Sequence, residues 1–231
     1  MNHINIIPSL ILTRGLCSFT KTSHHEVRIM DIIMLQKPYP PEIVHALALA
    51  YQQTFGGEPW NEGYVCSHCG NVFPLTPRPE MCVTCSSDSV DHTLTEYWPT
   101  EKIISDFLNE MSKPGSVCII TQDCQKIVGF AWGYTLLSDV HLDQHLDAPG
   151  VHHALSGEYF YLDEVGLIPE YQKKGLGTKM VEKIVRAQKH DRVILRTKDG
   201  GSMFKIVTHM GGGTIQKISK GRVIMSIFLV S

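Results

Sequence analysis

The chain has 231 residues, of which 43% are hydrophobic and 19% charged, with a formal net charge of −2. That length is ample for a folded core, and no apolar run reaches the roughly 18 residues a membrane-spanning helix needs, so a helical membrane protein is excluded. The small net charge conceals a division: residues 1–170 carry 8 Lys and Arg against 20 Asp and Glu, whereas residues 171–231 carry 13 against 3. A basic C-terminal part suits a phosphate-bearing ligand and an acidic N-terminal part suits a cation, although two solvated faces of opposite sign would give the same counts.

Residues 1–25 contain no acidic residue and a short apolar patch, Ile4 to Leu12, broken by Pro8. No positive segment precedes the patch, which argues against a secretory signal and leaves a transit peptide open. The expectation is a disordered leader or an overextended start, with Met30 or Met34 near the true one, on a cytoplasmic protein. Val27 to Leu35 then reads as a strand. Pro41 to Phe55, opened by Pro and closed by Gly56-Gly57, reads as a helix. After an insertion, Thr100 to Ser112 places Ile103, Ile104, Phe107, Leu108 and Met111 on one helical face and stops at Pro114-Gly115. Val117 to Thr121 and Lys126 to Tyr134 form a predicted hairpin through Asp123. Tyr159 to Ile168, stopped by Pro169, reads as a buried strand, and residues 177–190 as an amphipathic helix with Met180, Ile184, Val185 and Ala187 recurring. Arg192 to Thr197 is a predicted strand, Ser202 to Met210 a short helix, and Thr214 to Ile218 with Arg222 to Val230 a closing hairpin.

The first insertion, residues 61–96, holds Cys66, Cys69, Cys82 and Cys85 in the pattern C-x2-C-x12-C-x2-C. Two such knuckles can set four thiolates tetrahedrally around Zn²⁺, and a closed four-cysteine site is structural rather than catalytic. The segment has too few large apolar side chains to fold alone, so bound metal supplies the missing stability. Two disulfides are the alternative, and His68 or His92 could replace a cysteine ligand. Glu62, Glu80, Asp88, Asp91 and Glu96 against Arg78 alone make this an acidic ribbon, which disfavours nucleic acid because phosphate contact depends on Lys and Arg. Trp60-Asn61 and Tyr97-Trp98 flank it and suit docking to the domain. The second insertion, residues 138–157, mixes His141, His145, His152 and His153 with Asp139, Asp143 and Asp147. A solvated acidic loop is expected there, with a His141–His145 metal pair as the alternative. Cys17, Cys118 and Cys124 read as ordinary thiols.

Between the strand ending at Ile168 and the helix lies Gln172-Lys173-Lys174-Gly175-Leu176-Gly177. Glycines at a first turn let a ligand approach the backbone, and the unpaired N–H groups there form an anion site, so the implied ligand carries phosphate. A dinucleotide fingerprint would need Gly where Met180 stands, and a P-loop would need Gly-Lys-Ser/Thr; neither is present. With Leu167-Ile168-Pro169-Glu170-Tyr171 ahead of it, this stretch resembles the pyrophosphate loop of the GNAT acyl-CoA transferase superfamily, and the order of predicted elements from about residue 26 onward is similar to that fold.

The resemblance implies an α/β (α+β) domain over residues 26–231: a mixed central sheet flanked by helices, with a small zinc-ribbon insertion between the first two helices. It implies acetyl-CoA as cosubstrate and direct acetyl transfer to a primary amine, with the acidic ribbon near the acceptor favouring a cationic small molecule or a basic peptide. Gln172, Lys173, Lys174, Gly175, Leu176, Gly177 and Thr178 would hold the pyrophosphate, and Val165 and Leu167 match cofactor-facing strand positions. Glu164, with Asp163 as alternative, is the expected general base. Many relatives place a Tyr general acid where Val207 stands here, leaving Ser202, Thr208, His209 or Tyr171 as candidates. A non-enzymatic zinc-ribbon adaptor on the same scaffold is the competing reading.

Overall fold

The computed structural model describes residues 30–85, 94–137, 140–155 and 157–229; the expected leader at 1–25 and His92 lie outside them. In chain order the elements are β1 (Asp31–Met34), α1 (Pro41–Phe55), β2 (Tyr64–Cys66), β3 (Val72–Phe73), β4 (Leu94–Glu96), α2 (Thr100–Ser112), β5 (Val117–Asp123), β6 (Lys126–Leu137), α3 (Val140–Leu146), β7 (Glu158–Leu167), α4 (Leu176–Ala187), β8 (Arg192–Lys198), α5 (Ser202–His209), β9 (Gly213–Ile218) and β10 (Arg222–Phe228). Seven strands form one sheet in the order β1-β5-β6-β7-β8-β10-β9, and β3-β2-β4 form a separate small sheet. Every neighbour in the large sheet is antiparallel except β7 and β8. This is the mixed sheet flanked by helices that the sequence implies, with the ribbon between α1 and α2.

Helical periodicity explains the two layers. On α1, Val44, Leu47, Ala48 and Tyr51 are buried, and on α2, Ile103, Phe107 and Met111. These side chains meet Val128, Phe130 and Trp132 of β6 to form one core. Met180, Val181, Ile184 and Val185 of α4 and Val207 of α5 cover the opposite face, over Ala131, Phe160, Leu162, Leu195 and Met225. Because successive strand residues face opposite ways, Phe130 and Trp132 point to α1 and α2 while Ala131 points to α4.

The second insertion departs from the expected solvated loop. Residues 140–146 are helical and 151–154 form a 3-10 turn. Leu142, Leu146, Val151 and Leu155 pack with Tyr134, Tyr159, Tyr161, Ile194 and Ile224 in a third core. His and Asp dominate the composition, but Leu142 and Leu146 at i, i+4 give the helix an apolar stripe. His141 and His145 are both exposed, and His145 lies 3.1 Å from the Tyr134 hydroxyl. Cys118 is a buried thiol on β5, as expected. Cys124, at the β5–β6 turn, is disulfide-bonded rather than an ordinary thiol.

Candidate active site

A register shift between Trp132 and Gly133 of β6 leaves Asp163 of β7 as the extra residue: Trp132 faces Glu164 and Gly133 faces Leu162. Such a bulge breaks strict alternation. Leu162 and Val165 both lie in the α4 core, whereas Asp163 accepts a hydrogen bond from the Tyr134 hydroxyl (3.0 Å) and Glu164 one from Tyr51 of α1 (3.2 Å). Two adjacent carboxylates therefore emerge on the α1/α2 face of the sheet.

Glu164 borders a cavity of about 170 Å³. Its walls are the rings of Tyr51, Trp98, Phe107 and Trp132, and its carboxylates are Glu110 of α2 and Glu164, with Lys102 and Asp106 pairing with each other at 2.5 Å beside them. The rings brace one another: Tyr51 lies 5.5 Å edge-on to Trp98 and 6.0 Å stacked with Trp132, and Phe107 is edge-on to Trp132 at 5.3 Å. Glu110 is fixed by the Trp132 indole N–H at 2.6 Å. Burial, reinforced by the charges of Asp163 and Glu110, pushes the Glu164 carboxyl well above the ordinary carboxylate range; the Tyr51 hydroxyl opposes the shift. Burial and Asp163 likewise raise Glu110 to about 7, against the opposing effects of the Trp132 N–H and Lys113. Neighbouring buried carboxylates with raised pKa values favour a cation between them.

On the other side of β7 the sheet divides. β7 and β8 pair only at Phe160 with Val193 and Tyr161 with Ile194. Beyond this gap in the pairing, β7 continues through Val165 and Leu167, whose side chains pack on the α4 core. Gly175 stands before that helix at φ +76 without a side-chain cap, so the first-turn N–H groups lack an intrahelical or capping partner. A Cβ built at Gly175 meets nothing within 4 Å, so backbone conformation rather than crowding selects glycine here. Gln172 anchors the loop by donating to the Leu167 carbonyl at 2.9 Å.

The sequence profile of the Acetyltransferase (GNAT) family matches residues 85–200, from the last ribbon cysteine through α2, the divided strands and α4. The chain belongs to the GNAT acetyltransferase family. No curated protein sequence matches it. Among solved structures, a Pyrococcus horikoshii OT3 protein aligns with TM-score 0.53 at 14% identity, covering 88% of this chain and 100% of its own. Arylalkylamine N-acetyltransferase 2 from Aedes aegypti aligns at 0.53 and 13%, covering 87% and 100%. The ribosomal-protein-S18-alanine N-acetyltransferase from Escherichia coli aligns at 0.50 and 12%, covering 88% and 96%. At these identities the likeness establishes the GNAT fold.

Cys66, Cys69 and Cys82 precede the profile match, and Cys85 opens it. All four cysteines are free thiols, and their sulfurs lie within 4.8 Å of one another. Cys66–Cys85, Cys69–Cys82 and Cys82–Cys85 are each 3.6 Å apart. Zn–S bonds of about 2.3 Å in a tetrahedron imply sulfur separations near ~3.8 Å, so the set fits zinc and is too open for disulfides. The backbone N–H groups of Cys69 and His68 hold the Cys66 thiol below its ordinary value, while contact with Cys69 and burial push Cys85 above it.

The sequence pointed to Glu164, Asp163 and the 172–178 loop, and the first two do meet at one place. It did not reveal Tyr51, Trp98, Glu110 or Trp132 as their partners. Glu110 left a trace: it stands seven residues after Ile103 and three after Phe107, on the buried stripe of α2. Val207 is fully buried beneath α5, a packing residue. Of the other candidate acids, Tyr171 donates to Asp123, Thr208 to the Phe204 carbonyl at 2.9 Å, and Ser202 and His209 are exposed. Among the described residues, no helix is long and apolar enough to cross a membrane.

Proposed function

We propose that the protein is an acetyl-CoA-dependent N-acetyltransferase that passes the acetyl group directly to a primary amine on a cationic small molecule or basic peptide. The observation that carries this is the β7 bulge, which sets Glu164 in the aromatic, acidic cavity while the same strand packs Val165 and Leu167 on the core of α4, the helix with the uncapped start. In this reading the first-turn N–H groups from Gly175 to Thr178, with Gln172, Lys173 and Lys174, hold the pyrophosphate. The strand backbone around Val165 and Leu167 orients the thioester.

The incoming ammonium enters among Tyr51, Trp98, Phe107 and Trp132, where ring faces and carboxylates favour a cation. Glu164 takes one ammonium proton; its raised pKa matches that task better than an ordinary carboxylate would. The freed nitrogen attacks the thioester carbon, the C–S bond breaks with its electron pair leaving on sulfur, and the second surplus proton on nitrogen passes through solvent to the departing thiolate. Asp163 is the alternative base, and Glu110 supplies a charge that binds the acceptor. A thiolate of ordinary thiol basicity is a tolerable leaving group, so the absence of a Tyr at Val207 does not bar turnover.

Zinc, held by Cys66, Cys69, Cys82 and Cys85, would cross-link the ribbon and take no part in the chemistry. The ribbon's acidity speaks against nucleic acid as partner. We place the enzyme in the cytoplasm, where a reducing environment keeps a four-cysteine set available to a metal.

Calorimetry with acetyl-CoA tests the reading, using the parent, Gly175→Ala and Gly175→Glu. Alanine tests strain at the positive φ, and glutamate adds a charge facing the pyrophosphate. The expected result is binding in the parent, weakened by alanine and abolished by glutamate, with acetylation of at least one small amine. A folded parent that binds no acetyl-CoA would overturn the proposal and favour the adaptor.

A further inference from the structure

The ribbon is tied to the wall of the cavity through Trp98. Trp98 follows the last ribbon strand, β4, by two residues and precedes α2, which carries Phe107 and Glu110. Its indole N–H donates to Glu62, on the segment that enters the ribbon, at 2.9 Å. The Tyr97 N–H bonds the Gly63 carbonyl at 3.0 Å, and the Trp98 carbonyl accepts from Gln52 of α1 at 2.8 Å. The ends of the insertion are thus tied together at the residue whose ring meets Tyr51, and Tyr51 holds Glu164.

What keeps those ends together is slight without metal. Strands β2, β3 and β4 are three, two and three residues long, below what a small sheet needs for independent stability. The buried residues of β2 are Tyr64 and Cys66. Cys66 pairs with Leu94 and Tyr64 with Glu96, so one metal-ligating position lies in the rungs that lead directly to Trp98. Metal binding in so small a unit is itself folding free energy.

We infer that metal on the four ribbon cysteines sets the affinity for the acceptor amine, by holding Trp98, through its bond to Glu62, as the outer wall of the cavity that Glu164 lines. The inference rests on the acceptor reading of that cavity. The acetyl-CoA side is separated from it, because α4 packs on the opposite face of the sheet from α1 and α2. Metal loss therefore raises KM for the amine and leaves acetyl-CoA affinity in place. Trp98 is a positioning residue here, acting through its ring on Tyr51 and through its N–H on Glu62.

The test compares full-length zinc-loaded protein with chelated protein and with chelated protein given zinc back, using hydrogen-exchange mass spectrometry, acetyl-CoA calorimetry, and kinetics with 1,4-diaminobutane and 2-phenylethylamine. Expected on chelation are faster exchange at residues 60–66 and 94–102, unchanged exchange at 158–187, and acetyl-CoA affinity within about twofold. KM for an accepted amine rises about tenfold or more with kcat within about twofold, and zinc reverses the change. Trp98→Phe, which keeps a ring and loses the N–H, raises KM in zinc-loaded protein and narrows the gap between the two forms. Unchanged exchange at 94–102 after confirmed metal removal would overturn the inference. So would exchange rising throughout with loss of acetyl-CoA affinity, which would make the metal a global staple. If zinc-loaded protein acetylates neither amine, the functional proposal fails for these acceptors, while the exchange pattern still decides whether metal holds the wall.

Discussion

Tyr51 and Glu164 lie 113 residues apart in sequence, yet the Tyr51 hydroxyl donates to the Glu164 carboxylate at 3.2 Å. This contact ties the first helix to the bulged strand and favours the charged form of a carboxyl that burial otherwise drives towards neutrality. Replacing Tyr51 by Phe keeps the ring and removes the donor. Glu164 then holds its proton to higher pH, and because a base must be ionised to act, the acidic limb of the kcat/KM profile moves to higher pH. A hydrogen bond to a charged group contributes about 1.5–3 kcal/mol, so the limb should move by roughly one to two pH units. A profile that falls in height without moving would show that Tyr51 only fills space.

The bulge presents two candidate bases, which substitution separates. Glu164→Gln is expected to lower kcat by roughly 10²–10⁴-fold, the usual contribution of general base catalysis, with acetyl-CoA binding unchanged. Asp163→Asn, which can still accept from Tyr134, should cost less than about tenfold. The reverse order in single-turnover acetylation would transfer the role to Asp163.

Glu110 is held against its electrostatic interest, with its pKa raised to about 7 by burial and Asp163. A carboxyl raised in the folded state binds its proton more tightly there than in the unfolded chain. Stability is therefore highest below the unfolded value, falls between about pH 4.5 and 7, and is level above. Glu110→Gln removes this slope while its carbonyl still accepts from Trp132. The variant should exceed the parent in stability at pH 8 by on the order of 1 kcal/mol, discounted for partial solvation, with little difference at pH 5. Urea denaturation at the two pH values measures it, and the same variant should bind cationic amines more weakly.

The helix within residues 138–157 makes a further claim on stability. Leu146 is fully buried in the third core, so Leu146→Ala should cost about 2–5 kcal/mol and lower Tm accordingly. The solvated loop expected from composition would have given almost no change.

Much of the framework is legible in the sequence because each signal there is local. Apolar residues at helical spacing mark α1, α2 and α4, paired glycines mark the start of α4, and the cysteine spacing marks the ribbon. The cavity left no such mark, since Tyr51, Trp98, Glu110, Trp132 and Glu164 come from five separate stretches that meet only when the sheet and helices pack. The bulge is equally silent: strict alternation would put Asp163 and Glu164 on opposite faces, and the extra residue is defined by its partner strand. In α3 the abundance of His and Asp masked Leu142 and Leu146, which tertiary contact turns into a core.

The two helical layers carry opposite signs. On the cavity side α1 and α2 present Glu42, Glu101, Asp106 and Glu110 against Lys102, while α4 and α5 on the far side present Lys179, Lys183, Arg186 and Lys205 against Glu182. The sheet is therefore a partition between two potentials. A polyanion and a polycation approaching at random would each be drawn to its own side, so that neither occupies the other's berth and both slow as ionic strength rises. Order of arrival then matters little, because the reactants are sorted before they touch and meet only along β7.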